Sequence, residues 1–244
     1  MPVQAFVGID AGTTGCTVMI FDERGKKLGH GYAEYPCIPP PPGWSEQDLD
    51  VVWEGICEAY SQAPSAANLP PEAYKSVGLS SQRGTIGMLD KDKKPLCNSY
   101  VWNCTRATEY QARFEAEISP EEHQAHTGMQ LSPLWSAAKV AWFRDNQPAL
   151  FEKTRWFANG QEYFLYKLGA EEWVTDPASL TLNGMMDIAK LDWSDKILSM
   201  CGITRDRLPP IGTPSGVAGK LSKEAAALTG LPEGITLCRG AGDQ

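Results

Sequence analysis

Val7-Gly8-Ile9-Asp10-Ala11-Gly12-Thr13-Thr14 is an apolar strand running into a small-residue turn, with Asp10 where strand gives way to turn. The end of the chain, Gly240-Ala241-Gly242-Asp243-Gln244, is built the same way. Val7 and Ile9 are residues of the buried type. Gly12 followed by two hydroxyl residues leaves backbone N–H groups and hydroxyls facing one spot, and such a spot suits a phosphate chain. An aspartate beside phosphates needs a cation between them, which makes Mg²⁺ the natural third party. On this reading Gly12, Thr13 and Thr14 contact a nucleotide's phosphates and Asp10 the metal. An Asp-Gly turn at a strand end, with no ligand at all, would be spelled in much the same letters.

Working outward, Thr17 to Asp22 is a second strand, Glu23-Arg24-Gly25-Lys26 a turn, and Leu28 to Tyr35 a third strand. This is a β-meander entered through a phosphate-type loop. It is unlike loops that feed a helix through Gly-Lys-Ser or Gly-Lys-Thr, and neither that pattern nor Gly-x-Gly-x-x-Gly occurs. The prolines from Pro36 to Pro42 form a stiff connection that delivers Gly43-Trp44 to a helix from about Gln47 to Gln62. Leu49, Val52, Trp53, Ile56, Cys57 and Tyr60 keep the spacing of one buried helix face. Strands are expected at Val77 to Gln82, Thr85 to Leu89, Leu96 to Trp102 and Ile235 to Arg239. Helices are expected near Arg106 to Ala116, Pro120 to His126, Ser136 to Asn146, Gln161 to Leu168, Ser194 to Met200 and Lys223 to Leu228. Strand and helix alternate, so the class is α/β.

The 244 residues, 42% hydrophobic and 21% charged, suffice for one large α/β domain or two small ones. A formal charge of -8, with no basic run longer than Lys26-Lys27 or Lys93-Lys94, argues against nucleic acid or an anionic membrane as partner. The seven cysteines include no Cys-x-x-Cys pair and read as reduced thiols of a cytoplasmic protein. His123 and His126, three apart, read as a solvated helix face, since no acid or cysteine stands at zinc-ligand spacing. The N-terminus has no basic region followed by an apolar run.

An ordered set of segments then resembles the N-terminal half of the FGGY family of carbohydrate kinases. They are Asp10-Ala11-Gly12-Thr13-Thr14, Gly43-Trp44-Ser45-Glu46-Gln47-Asp48, Ser80-Ser81-Gln82-Arg83-Gly84-Thr85, Val101-Trp102-Asn103, Val174-Thr175-Asp176-Pro177, Leu191-Asp192-Trp193 and Gly242-Asp243-Gln244. The resemblance implies a ribonuclease-H-like, actin-like ATPase domain, a mixed sheet flanked by helices. It implies ATP and Mg²⁺ as cofactors and a small sugar or polyol as partner, with a homodimer left open. It further implies Asp243 as the base that takes the acceptor's hydroxyl proton. Gln82, Arg83, Trp102, Asp243 and Gln244 would face the acceptor, Arg83 through its planar donors and Trp102 as an aromatic wall. From the residues alone, Arg83 also reads as a surface arginine paired with an acid, and Trp102 as core. The Gly43 to Asp48 segment reads first as a helix start, with Ser45 or Asp48 capping.

Some residues depart from the pattern. Gly84 stands where glycerol kinases carry glutamate in Gln-Arg-Glu, and Leu134 where an aromatic is expected. These departures point the acceptor away from glycerol toward another polyol, a ketose or a related small hydroxylated carbonyl. Family members continue into a second, nucleotide-binding domain, so residues 1–244 are expected to be the substrate-binding domain of a two-domain kinase, inactive alone. A non-catalytic actin-like module that binds a sugar or a partner is the alternative.

Overall fold

Residues 3–38 and 41–243 are described by the computed structural model. Ala5, Val7, Ile9 and Ala11 alternate with Phe6, Gly8 and Asp10, so β1 (Ala5–Ala11) buries one face and leaves the other open. It turns into β2 (Gly15–Asp22) and β3 (Lys27–Glu34), all antiparallel neighbours, with Asp10 paired to Thr17 and Val18 to Gly31. Asp22 closes the second turn by accepting from the amides of Arg24 and Lys26, each at 2.9 Å. The expected meander is therefore present.

After the two-residue β4 (Glu46–Gln47) comes α1 (Leu49–Ala67), whose cap is Asp48, accepting from the Asp50 amide at 2.9 Å. The helix starts two residues later than the spacing predicts, because Gln47 is held in extended pairing with Ser99. β5 (Tyr74–Ser81) then runs parallel to β1, Leu79 beside Ile9. Next come β6 (Gly87–Leu89), β7 (Ser99–Tyr100), α2 (Tyr110–Glu115), α3 (Pro120–Thr127), α4 (Ser136–Asn146), α5 (Pro148–Lys153), β8 (Trp156–Ala158) and α6 (Gly160–Leu168). The short pair β9 (Met186–Asp187) and β10 (Asp192–Trp193), α7 (Asp195–Cys201), β11 (Val217–Lys220), α8 (Lys223–Thr229), β12 (Thr236–Cys238) and β13 (Ala241–Gly242) complete the chain. The main sheet is mixed, in the order β11-β12-β5-β1-β2-β3, with β13 also on β5.

Two hydrophobic cores share one wall. The first fills the space between the sheet and α1, α6 and α8, with Val7, Ile9, Val18, Ile20, Ile56, Tyr60, Val77 and Leu237 at its centre. The second surrounds α4, with Phe143, Tyr100, Phe157, Ile197 and Leu198. The β6–β8 pair divides them, Met88 and Phe157 facing the second core while Leu89 and Ala158 face the first.

Three local expectations change. Strand pairing in the Leu96 to Trp102 stretch is confined to Ser99–Tyr100, which places Trp102 in the following turn, 43% exposed rather than in the core. The helix expected from Arg106 is shortened to Tyr110–Glu115, because the Arg106 side chain is drawn inward. Its guanidinium lies 3.4 Å from the Tyr100 ring centre and 4.3 Å from that of Trp44, and pairs with Glu46 at 2.5 Å. Finally, His123 does not lie on a solvated face. It is 1% exposed, with Nδ1 3.0 Å from the Met129 carbonyl, and burial lowers its pKa. All seven cysteines are free thiols, and among the described residues no helix is long and apolar enough to cross a membrane.

Candidate active site

Three parallel strands end side by side. Ala11 of β1 pairs with Ser81 of β5, and Ser81 with Gly242 of β13. The ladder continues one step past them, the Gln82 amide donating to the Ala11 carbonyl at 2.9 Å and the Asp243 amide to the Ser81 carbonyl at 3.0 Å. The Gly12 turn, Arg83 and Asp243 therefore emerge together at the carboxyl ends of the strands, where open α/β sheets bind ligands. Asp243 reaches this edge through a kink at Gly240. There φ is +74°, and a Cβ would collide with the Leu79 backbone, so the position requires glycine.

The phosphate-type turn is a hairpin. Gly12 donates to the Gly15 carbonyl at 3.0 Å, leaving Thr13 and Thr14 at the tip, and a two-residue loop leaves its tip amides outside the ladder. Tyr35 braces the turn from behind, its hydroxyl donating to the carbonyls of Gly12 and Gly15 at 2.8 and 2.9 Å. Thr13 is fixed by a closed ring of hydrogen bonds. Its hydroxyl donates to Gln82 Oε1 at 3.1 Å, Gln82 Nε2 donates to Gln47 Oε1 at 2.5 Å, and Gln47 Nε2 donates back to the Thr13 carbonyl at 2.5 Å. The Trp102 indole N–H donates to the same Thr13 hydroxyl at 3.1 Å. The hydroxyl's one proton is thus directed to Gln82, and what Thr13 can offer a phosphate is its backbone amide. Gln82, 7% exposed, turns inward and links the Gly12 hairpin to Gln47.

The charged groups sit in front of this ring. Arg83 Nε donates to Asp243 Oδ1 at 3.2 Å, and its Nη1 donates to the Thr181 hydroxyl. The Arg83 side chain is only 11% exposed, whereas that of Asp243 is 40% exposed, so the carboxylate is the member of the pair open to a ligand. Desolvation, and after it the negative charge of Asp243, raise the Asp10 pKa above the usual carboxylate range. Asp10 and Asp243 thus face the mouth of the phosphate-type hairpin together, near enough for the Asp243 charge to act on Asp10. No cluster of three or more His, Cys, Asp or Glu side chains able to hold a metal exists among the described residues.

Behind Arg83 the Val174 to Pro177 segment does the structural work its turn-like sequence suggests. Asp176 accepts the amides of Ala178 and Ser179 at 2.9 and 3.0 Å, and Gln161 donates to it at 2.9 Å. Gln161 Nε2 also donates to the Arg239 carbonyl at 3.0 Å, tying the loop that carries Thr181 to the approach of β13. Gln161 and Thr181 are members of the site that sequence patterns do not single out, because a buried amide or hydroxyl is spelled like an exposed one. Gln244 lies outside the described residues.

Residues 5–244 match the family model described as "FGGY family of carbohydrate kinases, N-terminal domain". The glycerol kinase of Thermococcus onnurineus is 33% identical over 222 residues, which cover 89% of this chain and 45% of that protein. Among solved structures, gluconate kinase from Lactobacillus acidophilus superposes with a TM-score of 0.91 at 22% identity, over 99% of this chain and 48% of that one. Plasmodium falciparum glycerol kinase, solved with ADP, gives a TM-score of 0.89 at 23% identity, over 100% and 49%. The chain spans about half the length of the curated relatives it matches.

Proposed function

Because this chain belongs to the FGGY family of carbohydrate kinases, we propose that it is the acceptor-binding, N-terminal domain of an enzyme that moves the terminal phosphoryl group of ATP onto a hydroxyl of a small polyol or ketose, with Asp243 as the base. The observation that carries this reading is the convergence of Asp243, Arg83, Asp10 and the Gly12 hairpin at one sheet edge.

In-line attack needs the acceptor oxygen aimed at phosphorus and its proton removed as the bond forms. A carboxylate suffices, since positioning and charge neutralisation supply most of the acceleration. Arg83 holds one Asp243 oxygen by a charge-assisted hydrogen bond, which fixes the orientation of the carboxylate facing the acceptor. The amides of Thr13 and Thr14 lie where the transferred phosphate would approach, and Trp102 offers its exposed indole to the carbon skeleton of the acceptor. Gln244 would hold a second hydroxyl. A Mg²⁺ held through Asp10 would offset phosphate charge that otherwise repels both aspartates.

Gly84 bears on which acceptor is used. Its φ is +70°, and a Cβ there would stand 3.0 Å from Leu182 Cβ and 3.2 Å from Trp102 Cβ. A longer side chain at this place would push against Trp102, so position 84 adds no carboxylate to the pocket beside Arg83. We therefore favour a polyol or ketose other than glycerol.

The test uses the longer protein that carries this domain. It should phosphorylate at least one member of a polyol and ketose panel, and Asp243→Asn should lower kcat by roughly 10²–10⁴-fold with ATP KM little changed. A fully active Asp243→Asn protein would reject Asp243 as base. No phosphorylated acceptor from the wild-type protein would favour the non-catalytic module.

A further inference from the structure

Lys139, on α4, is fully buried and makes no salt bridge among the described residues. Its Nζ instead donates to three backbone carbonyls, Val101 at 2.7 Å, Trp102 at 3.0 Å and Gly84 at 3.4 Å. Ser136, one turn earlier on α4, donates to the same Gly84 carbonyl at 3.4 Å. Burying an ammonium without a counter-ion is costly. A methionine would fill a similar volume without that penalty, so the cost calls for something only the ammonium supplies. Its three N–H donors match three carbonyls, two in the Trp102 turn and one in the residue directly after Arg83.

We propose that Lys139 is a positioning residue for the acceptor, clamping the Arg83–Gly84 turn to the Val101–Trp102 turn and so setting the width of the pocket between Arg83 and Trp102. The assignment of that pocket to the acceptor rests on the kinase reading above. The clamp itself does not.

The clamp is proton-dependent. Burial pulls the Lys139 pKa down to about 7. The titratable and charged groups facing it are Cys104, which opposes that shift, and Arg106, which adds to it. Once deprotonated, the amine has two donors for three carbonyls, and the Gly84 contact, the longest, is the one released.

The chain itself permits a direct test. In ¹H–¹⁵N spectra of residues 1–244, the Trp102 indole N–H should shift with a midpoint near pH 7, and Lys139→Met should abolish that transition. A Trp102 signal that is flat between pH 6 and 8, or that titrates identically in Lys139→Met, overturns the clamp. Should Lys139→Met fail to fold, Lys139→Gln, with two donors at most, should likewise lack the transition, and the wild-type titration stands by itself. In the longer enzyme, acceptor KM should rise as pH passes 7 while ATP KM does not. Lys139→Met, which removes all three donors, should raise acceptor KM by at least about tenfold, the scale of a single lost hydrogen bond from a charged donor. Equal losses for acceptor and ATP would assign Lys139 a merely structural role. A wild-type enzyme that phosphorylates nothing would remove the kinase reading, yet the Trp102 titration would still decide the clamp.

Discussion

Asp10 and Asp243 come from opposite ends of the chain, and the Asp243 charge, after desolvation, disfavours ionisation of Asp10. Asp243→Asn should therefore lower the Asp10 pKa toward the ordinary carboxylate value, leaving the part that desolvation causes. Carboxyl NMR titration of residues 1–244 measures this, and an unmoved Asp10 would mean that the two groups do not face each other. The sign for stability follows from linkage. A carboxyl whose folded pKa is raised contributes stability that is present at low pH and is lost as pH rises through that pKa, so relief of Asp10 is stabilising at neutral pH, and the lost Arg83–Asp243 pair opposes it. In the longer enzyme Asp10→Ala should abolish turnover with the fold intact, and unchanged turnover and metal dependence would remove Asp10 from the metal site. At this scale the sequence was partly legible. Asp10, Arg83 and Asp243 stood out because they lie at or just past strand ends. Lys139 did not, since burial of a polar side chain leaves no periodic mark when its partners are backbone carbonyls.

Elements legible from apolar spacing are those that pack along their whole length. Ser136–Asn146 has the predicted bounds, and the opening strands differ from expectation only at their ends. Elements that owe their limits to one distant contact were not legible. Arg106 is captured by Trp44, Tyr100 and Glu46, which replaces the first turn of an expected helix, and the two-residue strands exist only as pairs. The β12–β13 step belongs to this second kind. Gly240 lets the chain leave β12 and rejoin β5 three residues on, in time to present Asp243. Gly240→Ala adds strain at positive φ and a clash with the Leu79 backbone, and should destabilise the domain by about 1–3 kcal/mol or more. Urea unfolding measures this, and a midpoint within error of wild type would show that the strand can cross without the kink.

Across the whole molecule, two of the buried titratable groups have pKa values moved to near neutrality. Glu162 lies against the sheet-side core and is 2% exposed, with one oxygen accepting from Asn159 at 3.2 Å, and burial above all raises its pKa to about 7. Lys139, beside the α4 core, is lowered to about 7. Their linkages run in opposite directions. The Glu162 contribution is complete below its unfolded value near 4.5 and is lost as pH rises to 7. The Lys139 contribution is complete only above 10.5 and is lost as pH falls to 7. Each shifted pKa unit is worth roughly 1.4 kcal/mol, so both groups together should place a local minimum of stability near pH 7. The alkaline rise should be visible between pH 7 and 9. Above 9 the buried thiols Cys16 and Cys201 and the half-buried Cys57 and Cys97, whose pKa values are raised by desolvation, remove stability instead. Denaturant midpoints collected from pH 4.5 to 9 should therefore trace a valley, with Glu162→Gln flattening its acid side and Lys139→Met its alkaline side. Curves for these variants that run parallel to wild type would show that neither group changes its protonation on folding. For Lys139 that result would, like a flat Trp102 titration, count against the clamp.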